Sequence, residues 1–142
     1  MKVLFDTSVL IAALSARHIE NARALPWLER ALAGEVSGVV STHALAELYG
    51  TLTGHAAWRI PPQLCIQVLQ SNISRFDVTG IDESDYWYTL EQMARLGLPG
   101  GGIYAALHAR AAHKSGAEAI LTLNAKHFSR LGDDTARLVR VP

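Results

Sequence analysis

The sequence has little that would tie it to an oxidising compartment or to a membrane. Its 142 residues contain one cysteine, Cys65, so no disulfide can form within the chain, and a buried structural thiol is expected. No apolar run approaches the roughly 18 residues of a membrane span, and Asp6 interrupts the apolar start where a secretory leader would continue. We therefore expect a cytoplasmic protein.

The chain also lacks an excess of charge of either sign. Its 13 Lys and Arg residues match its 13 Asp and Glu residues, giving a net charge of zero. Such a balance argues against strong non-specific binding of nucleic acid, which needs excess positive charge. Basic groups can still be placed locally, and Arg17, Lys126, His127 and Arg130 are expected nearest a substrate, unless they are ordinary surface charges.

Several familiar site motifs are missing. No Gly-Lys-Ser/Thr follows the glycines at 100 to 102, which excludes a phosphate-binding P-loop. There is no His-Glu-x-x-His, and His108 and His113 are five residues apart on different helix faces, so a zinc site is not expected. A haloacid-dehalogenase-like phosphatase would need an acid at position 8, which is Ser8.

What is present is an alternation of buried strands and helices, in a chain that is 49% hydrophobic. Strands are predicted at 2 to 6, 36 to 40, 76 to 79, 119 to 123 and 137 to 141, with helical patterns between them. This order favours an α/β fold with a mostly parallel central sheet of about five strands, flanked by helices. The length is that of one domain, residues 1–142.

The first candidate site residue is Asp6, which follows an apolar strand and precedes Thr7 and Ser8. Either hydroxyl residue is a suitable cap for the next helix. Ligands of open α/β sheets bind at the carboxyl ends of the strands, so Asp6 is placed where a ligand could be held. The alternative is that Asp6 itself only caps the helix.

Two further polar residues are expected at the same edge of the sheet. Glu47 lies in the helix after the second strand, off its apolar stripe, and is either a site residue or a solvated surface glutamate. Asn124 ends the fourth apolar run of the chain. A different acidic stretch at 82 to 85 is interpreted as a helix cap, with Gly97 ending that helix.

Taken together, four segments resemble the PIN-domain ribonucleases of the VapC toxin type. They are Asp-Thr-Ser-Val-Leu at 6 to 10, Ala-Glu-Leu at 46 to 48, Gly-Gly-Ile-Tyr-x-Ala-Leu-His-Ala at 101 to 109 and Thr-x-Asn-x-x-His-Phe at 122 to 128. Each segment alone is unspecific, but their order and spacing make the combined match specific. The resemblance covers essentially the whole chain and implies one PIN domain over residues 1–142.

The resemblance implies a catalytic set of acidic metal ligands. Asp6 and Glu47 would be two of them, Asn124 would stand at a variable Asp or Asn position, and Thr7 and Ser8 would support the site. The family pattern Tyr-Asp-Ala-Leu is Tyr-Ala-Ala-Leu in this chain, so Ala105 stands where the expected Asp would be.

The chemistry of such a cluster is hydrolysis of RNA with Mg²⁺ or Mn²⁺ as the cofactor, because these ions take oxygen ligands and activate water or clamp a phosphate. With Ala105, one ligand is lost, so weaker metal binding and severely reduced cleavage are expected. Ala105 either replaces a natural Asp, a change that would silence a toxic nuclease, or belongs to a naturally inactive member. The alternative function is therefore a catalytically inactive PIN-like module that binds an antitoxin or RNA.

Partners also follow from the resemblance. They are a cognate antitoxin, whose tail would lie in a groove over the active site, an RNA substrate, and a second copy of the chain in a homodimer, with no membrane. The apolar residues Trp27, Leu28, Trp58 and Ile60 either line such a groove or belong to the core.

Overall fold

The protein is described by a computed structural model that covers residues 1–142. Its strands are β1 (Lys2–Phe5), β2 (Ser37–Ser41), β3 (Asp77–Thr79), β4 (Ala119–Leu121) and β5 (Val139–Arg140). Its helices are α1 (Thr7–Leu14), α2 (Asn21–Leu32), α3 (Thr42–Gly54), α4 (Pro62–Ile73), α5 (Glu83–Leu96), α6 (Gly102–Ser115), α7 (Ala125–Ser129) and α8 (Asp133–Ala136). The predicted α/β class is confirmed.

The sheet has five strands in the order β3-β2-β1-β4-β5, and every neighbouring pair is parallel. The prediction of a mostly parallel sheet of about five strands is therefore confirmed, and the parallel arrangement is complete. The strands are shorter than the apolar runs suggested, and β5 has only two residues. Apolar runs extend past the last ladder hydrogen bond because neighbouring loops also need buried side chains.

Strand β1 is central, and the chain adds two strands on each side of it. From β1 it moves through β2 to β3 on one side, and it returns to place β4 and β5 on the other. Phe5 at the end of β1 pairs with Leu121 at the end of β4. Residues that follow these two strands therefore emerge side by side, at the kind of switch point where open α/β sheets bind ligands.

Side chains of β1 alternate between two apolar layers, as the period of a strand requires. Val3 and Phe5 pack with α1, α2 and α3 on one face. Leu4 packs on the other face against Ile120 and the alanine-rich α6. Small side chains on α6 let that helix lie close to the sheet, which brings its first turn to the carboxyl edge.

One predicted helix cap is wrong. Helix α1 begins at Thr7, so neither Thr7 nor Ser8 is its N-cap, and the N-cap position is held by Asp6 without a side-chain capping bond. The reason is that these side chains are engaged elsewhere, as the site below shows. The interpretation of the acidic stretch at 82 to 85 is confirmed: Asp82 and Asp85 form a capping box for α5.

The apolar residues proposed for a groove divide between core and surface. Leu28 is buried in the core and Trp27 packs against it, whereas Trp58 and Ile60 line an apolar groove of about 240 Å³. Cys65 is fully buried, as expected of a structural thiol. None of the helices has both the length and the apolar character needed to cross a membrane.

Candidate active site

The Asp6 carboxylate is held in place by two hydroxyl groups. Ser8 Oγ donates to Asp6 Oδ2 at 2.6 Å, and Thr122 Oγ1 donates to the same oxygen at 2.8 Å. Each hydroxyl is itself fixed by a backbone N–H, from Leu123 to Ser8 and from Asn124 to Thr122. The Asp6 side chain makes no capping bond, so the interpretation of Asp6 as only a helix cap is wrong.

Glu47 of α3 is tied to the same region by a histidine. Its Oε1 atom lies 2.5 Å from His108 Nε2, 3.5 Å from the Thr7 hydroxyl and 3.6 Å from His43 Nε2. Its side chain is only 30% exposed, so Glu47 is half-buried and hydrogen-bonded rather than free on the surface. Burial alone would raise the Glu47 pKa, but the hydrogen bond from His108 and the nearby imidazoles outweigh it, and the pKa is lowered from its ordinary value.

His108 is the central contact of the site and was not expected from the sequence as a site residue. It is 1% exposed, its Nδ1 lies 2.8 Å from Ser41 Oγ, and its Nε2 also lies 3.9 Å from Asp6 Oδ1. An ionised carboxylate only accepts hydrogen bonds, so the hydrogen shared with Glu47 belongs to Nε2. A useful signal was present: His108 follows position 105 by three residues, so both lie on one face of α6.

Position 105 faces the same cavity but contributes only a methyl group. Ala105 is 9% exposed and lies in the early part of α6. The cavity has a volume of about 110 Å³ and is lined by residues from the carboxyl edge of the sheet and from α3, α6 and α7 with their flanking residues: Asp6, Glu47, Gly101, Ala105, His108, Asn124, His127 and Phe128. The structure thus brings Asp6, Glu47, Ala105 and Asn124 together, with Thr7 and Ser8 contacting the two acids.

Asn124 also lies beside a second cleft, and the predicted basic residues are spread over several parts of the surface. Asn124 occupies the N-cap position of α7 without a side-chain capping bond, and it also lines a neighbouring cleft of about 450 Å³. Of the four basic residues expected near a substrate, His127 lines the active-site cavity, and Arg17 lines the separate apolar groove. The Arg130 guanidinium packs against Gly102, where an added Cβ would lie only 2.6 Å from Nη2.

The oxygen donors of this cavity can hold one hard divalent cation, although the set of ligands is reduced by the missing carboxylate at position 105. Asp6 and Glu47 offer carboxylate oxygens and Asn124 an amide oxygen, and Mg²⁺ is commonly held by one or two carboxylates plus waters. No three His, Cys, Asp or Glu side chains converge as a metal-binding group. The Oε1 atom of Glu47 already contacts His108, so a cation would compete with that imidazole for it.

The family model of the PIN domain matches residues 3–134 of the chain. This chain belongs to the PIN domain family. The resemblance seen in the sequence is confirmed by this match, and the observed sheet agrees with it. That the PIN domain occupies all of residues 1–142 stays a prediction. No curated protein sequence matches the chain.

Solved structures share the PIN-domain fold at low sequence identity. VapBC2 from Rickettsia felis, bound to a DNA fragment from their promoter, superposes with a TM-score of 0.70 at 19% identity, over 100% of this chain and 99% of that one. VapBC-1 from nontypeable Haemophilus influenzae gives a TM-score of 0.66 at 19% identity, over 100% and 97%. The sarcin-ricin-loop-cleaving toxin VapC20 of Mycobacterium tuberculosis gives 0.64 at 16% identity, over 83% and 86%.

Proposed function

We propose that this protein is a VapC-type toxin built as a metal-dependent endoribonuclease, and that Ala105 impairs its cleavage activity. The observation that carries the proposal is that Asp6, Glu47, Asn124 and position 105 surround one cavity at the carboxyl edge of the sheet. The family match and the likeness to VapC20, a toxin that cleaves the sarcin-ricin loop, support RNA as the substrate class.

Asp6, Glu47 and Asn124 would hold a Mg²⁺ or Mn²⁺ ion. When bound, the ion would supply activation of water and neutralise charge on the scissile phosphate. Asp6 is suited to this role because Ser8 and Thr122 occupy its Oδ2 atom, which fixes the carboxylate and leaves Oδ1 toward the cavity. His127 at the rim would donate a hydrogen bond to a phosphate oxygen.

Ala105 limits this chemistry in two ways. Its methyl group provides no oxygen ligand, so the cation would lose one contact on the α6 side of the cavity. Without that carboxylate, the negative charge of the site is smaller, and one Glu47 oxygen already accepts a hydrogen bond from His108. Both effects lower the affinity for a divalent cation.

The partners belong to the same proposal. The likeness to VapBC2 and VapBC-1 supports a cognate antitoxin as partner, and the apolar groove beside Trp58 and Ile60 offers a surface for a protein contact. We also propose a homodimer and a cytoplasmic location, where RNA substrates are present.

A second candidate function is a catalytically inactive PIN module that acts by binding its antitoxin or RNA. The specific observation in its favour is Ala105 itself, together with the Glu47 contact to His108 that satisfies one acid without metal.

The deciding experiment compares cleavage of total RNA by the chain as it stands and by Ala105→Asp, with magnesium, with manganese and with EDTA. We expect Ala105→Asp to cleave at least 100-fold faster, in line with the several kcal/mol that a metal clamp contributes. EDTA should abolish that activity.

Two variants control this comparison. The asparagine of Ala105→Asn has nearly the size of the aspartate without its charge. The cleavage rate of this variant should stay close to that of the unchanged chain. Asp6→Ala, added to Ala105→Asp, should remove the regained cleavage. If Ala105→Asp cleaves no RNA under any metal condition, the ribonuclease proposal is wrong and the binding-module alternative replaces it.

A further inference from the structure

An aromatic surface borders the active-site cavity on the α6 side. Tyr104 precedes Ala105 and is 50% exposed, although it lies within one residue of the cavity lining. Its ring is stacked on His43, with centroids 5.3 Å apart and planes only 8° from parallel. One face of the Tyr104 ring is therefore partly covered by His43, and about half of the residue's surface stays open to solvent.

The His43 ring beneath it is fixed relative to the acids. His43 Nε2 is buried without a hydrogen-bond partner and lies 3.6 Å from Glu47 Oε1. On the other side of the ring, Nδ1 lies 3.5 Å from the Tyr86 hydroxyl. The His43 ring is also 5.9 Å from the ring of His108. The stack thus lies next to Glu47 and His108, two residues that line the cavity.

We propose that the exposed face of Tyr104 is a stacking platform for a nucleobase of the RNA whose phosphate lies in the cavity. The inference rests on the proposed ribonuclease function and adds a positioning residue to it. Aromatic rings bind bases of single-stranded RNA by stacking, which tolerates any base because every base has a π-face. His43 beneath Tyr104 continues the stack.

The charge balance of the protein favours such a contact. With a net charge of zero, the chain gains little affinity from the RNA backbone as a whole. Local contacts close to the reacting phosphate then supply a larger share of the binding. A stacked base fixes the nucleotide next to that phosphate, which is the positioning that a cleavage reaction requires.

The surroundings favour a nucleobase over a protein segment as the occupant. The cavity beside Tyr104 is lined mainly by polar side chains of site residues, such as Glu47, Asn124 and His127. The apolar groove at Trp58 and Ile60 is a separate surface of the chain. An RNA strand joins a charged phosphate to a flat base, and the cavity with the proposed cation between Asp6 and Glu47, beside an aromatic ring, would suit that combination.

The test uses binding, so that it does not depend on cleavage. A fluorescein-labelled pool of random RNA octamers and an abasic octamer of the same backbone are titrated with the chain as it stands, in magnesium, by fluorescence anisotropy. We expect the unchanged chain to prefer the base-containing pool about tenfold, the size of one base stack. Tyr104→Ala should bind both probes equally, and Tyr104→Phe should keep the preference because it keeps the ring.

Tyr49→Ala is the matched control, because Tyr49 is 42% exposed on α3, as Tyr104 is on α6, but its ring is not stacked on His43. It should keep the preference, and circular dichroism should show that each variant is folded. In the Ala105→Asp background, Tyr104→Ala should raise the KM for RNA about tenfold more than Tyr49→Ala does.

Each contrary result has a separate meaning. If the unchanged chain shows no preference for bases, or Tyr104→Ala retains it, the stacking proposal is wrong even where Ala105→Asp cleaves RNA. If Tyr104→Ala changes the oligomer mass in sedimentation but not RNA binding, the aromatic surface is a protein contact and the proposal is again wrong. Failure of Ala105→Asp to cleave, with the base preference intact, overturns the nuclease function but not the platform.

Discussion

At the scale of single residues, the site depends on hydroxyl groups as much as on acids. Thr122 is fully buried, donates to Asp6 Oδ2 and accepts the backbone N–H of Asn124. It therefore connects the two strand ends that carry the proposed cation ligands. A side chain that orients a ligand in this way affects both stability and site geometry.

Thr122→Val keeps the shape of this side chain and removes its hydrogen bonds. We expect the free energy of unfolding in urea to fall by about 1–3 kcal/mol, because the buried Asp6 carboxylate and the partly buried Asn124 N–H each lose a partner. The matched control is Thr53→Val in α3, whose hydroxyl donates only to the Tyr49 carbonyl. That substitution should change the free energy of unfolding by no more than about 0.5 kcal/mol. Equal effects in the two variants would show that Thr122 has no special part in holding Asp6.

The residue scale also shows what the sequence could not predict. Asp6, Glu47 and Asn124 were placed at one edge because strand ends in a parallel sheet must meet there. His108 and Thr122 were missed, because their contribution depends on how closely α6 and β4 approach the end of β1. The spacing of three residues places His108 on the face of position 105, but contacts between distant segments such as His108 with Ser41 and Thr122 with Asp6 are not encoded by local periodicity.

At the scale of elements, α5 and α6 are joined by a buried ionic contact. Asp85 is 2% exposed and accepts from Arg110 Nε at 2.9 Å and from Lys114 Nζ at 2.5 Å. Burial alone would raise the Asp85 pKa, but these cations and the backbone N–H of Asp82 hold it well below its usual range. The contact fixes α6, and with it the α6 wall of the active-site cavity.

This contact predicts a loss of stability in acid. Because the folded-state pKa of Asp85 is depressed, its stabilising contribution is complete above the unfolded-state pKa of about 4 and is lost as pH falls below that value. Urea unfolding between pH 7 and pH 2 should therefore show a steep decline below about pH 4. Asp85→Asn should flatten this decline and cost about 3 kcal/mol at neutral pH, since both cations lose a buried partner.

An exposed ion pair provides the control. Asp134 and Arg137 form a contact in α8 and its C-cap with side chains that are 79% and 74% exposed. Exposed pairs contribute little, so Asp134→Asn should change neither the neutral stability nor the acid slope. If Asp134→Asn and Asp85→Asn have the same slope, the acid sensitivity originates elsewhere in the protein.

The types of the elements were predicted well from the sequence, whereas the helix caps were predicted correctly for α5 and wrongly for α1. Asp82, Asp85 and Gly97 were recognised because a capping box and a left-handed C-cap have local signatures. The cap of α1 was mispredicted because Thr7 and Ser8 point at Glu47 and Asp6. A local propensity is overridden where the same side chain serves a site.

At the scale of the whole molecule, the sheet order decides where the acids meet. The chain leaves β1 toward β2 and later returns to β4 on its other side, so the ends of β1 and β4 and the start of α3 surround one point. The alternation of strands and helices predicted this layering. The strand order followed only from the folded chain, because several parallel orders satisfy the same pattern.

The charge of the residue at position 105 should affect the stability of the folded protein. Ala105→Asp would place a third carboxylate beside Asp6 and Glu47, in a cavity of about 110 Å³. Without a divalent cation, mutual repulsion and burial disfavour three charged acids, so the melting temperature should fall below that of the unchanged chain. With saturating Mn²⁺ it should rise again, by the equivalent of about 2.7 kcal/mol at a hundred times the dissociation constant.

The control for this melting experiment is Ala105→Asn, which adds similar bulk without charge. Its melting temperature should respond to Mn²⁺ little more than that of the unchanged chain, because an amide is a weaker ligand for a divalent cation than a carboxylate. Adding Asp6→Ala to Ala105→Asp should remove most of the Mn²⁺ effect. If Mn²⁺ stabilises the unchanged chain as much as Ala105→Asp, position 105 is not a ligand position, and Asp6 and Glu47 bind the ion without it.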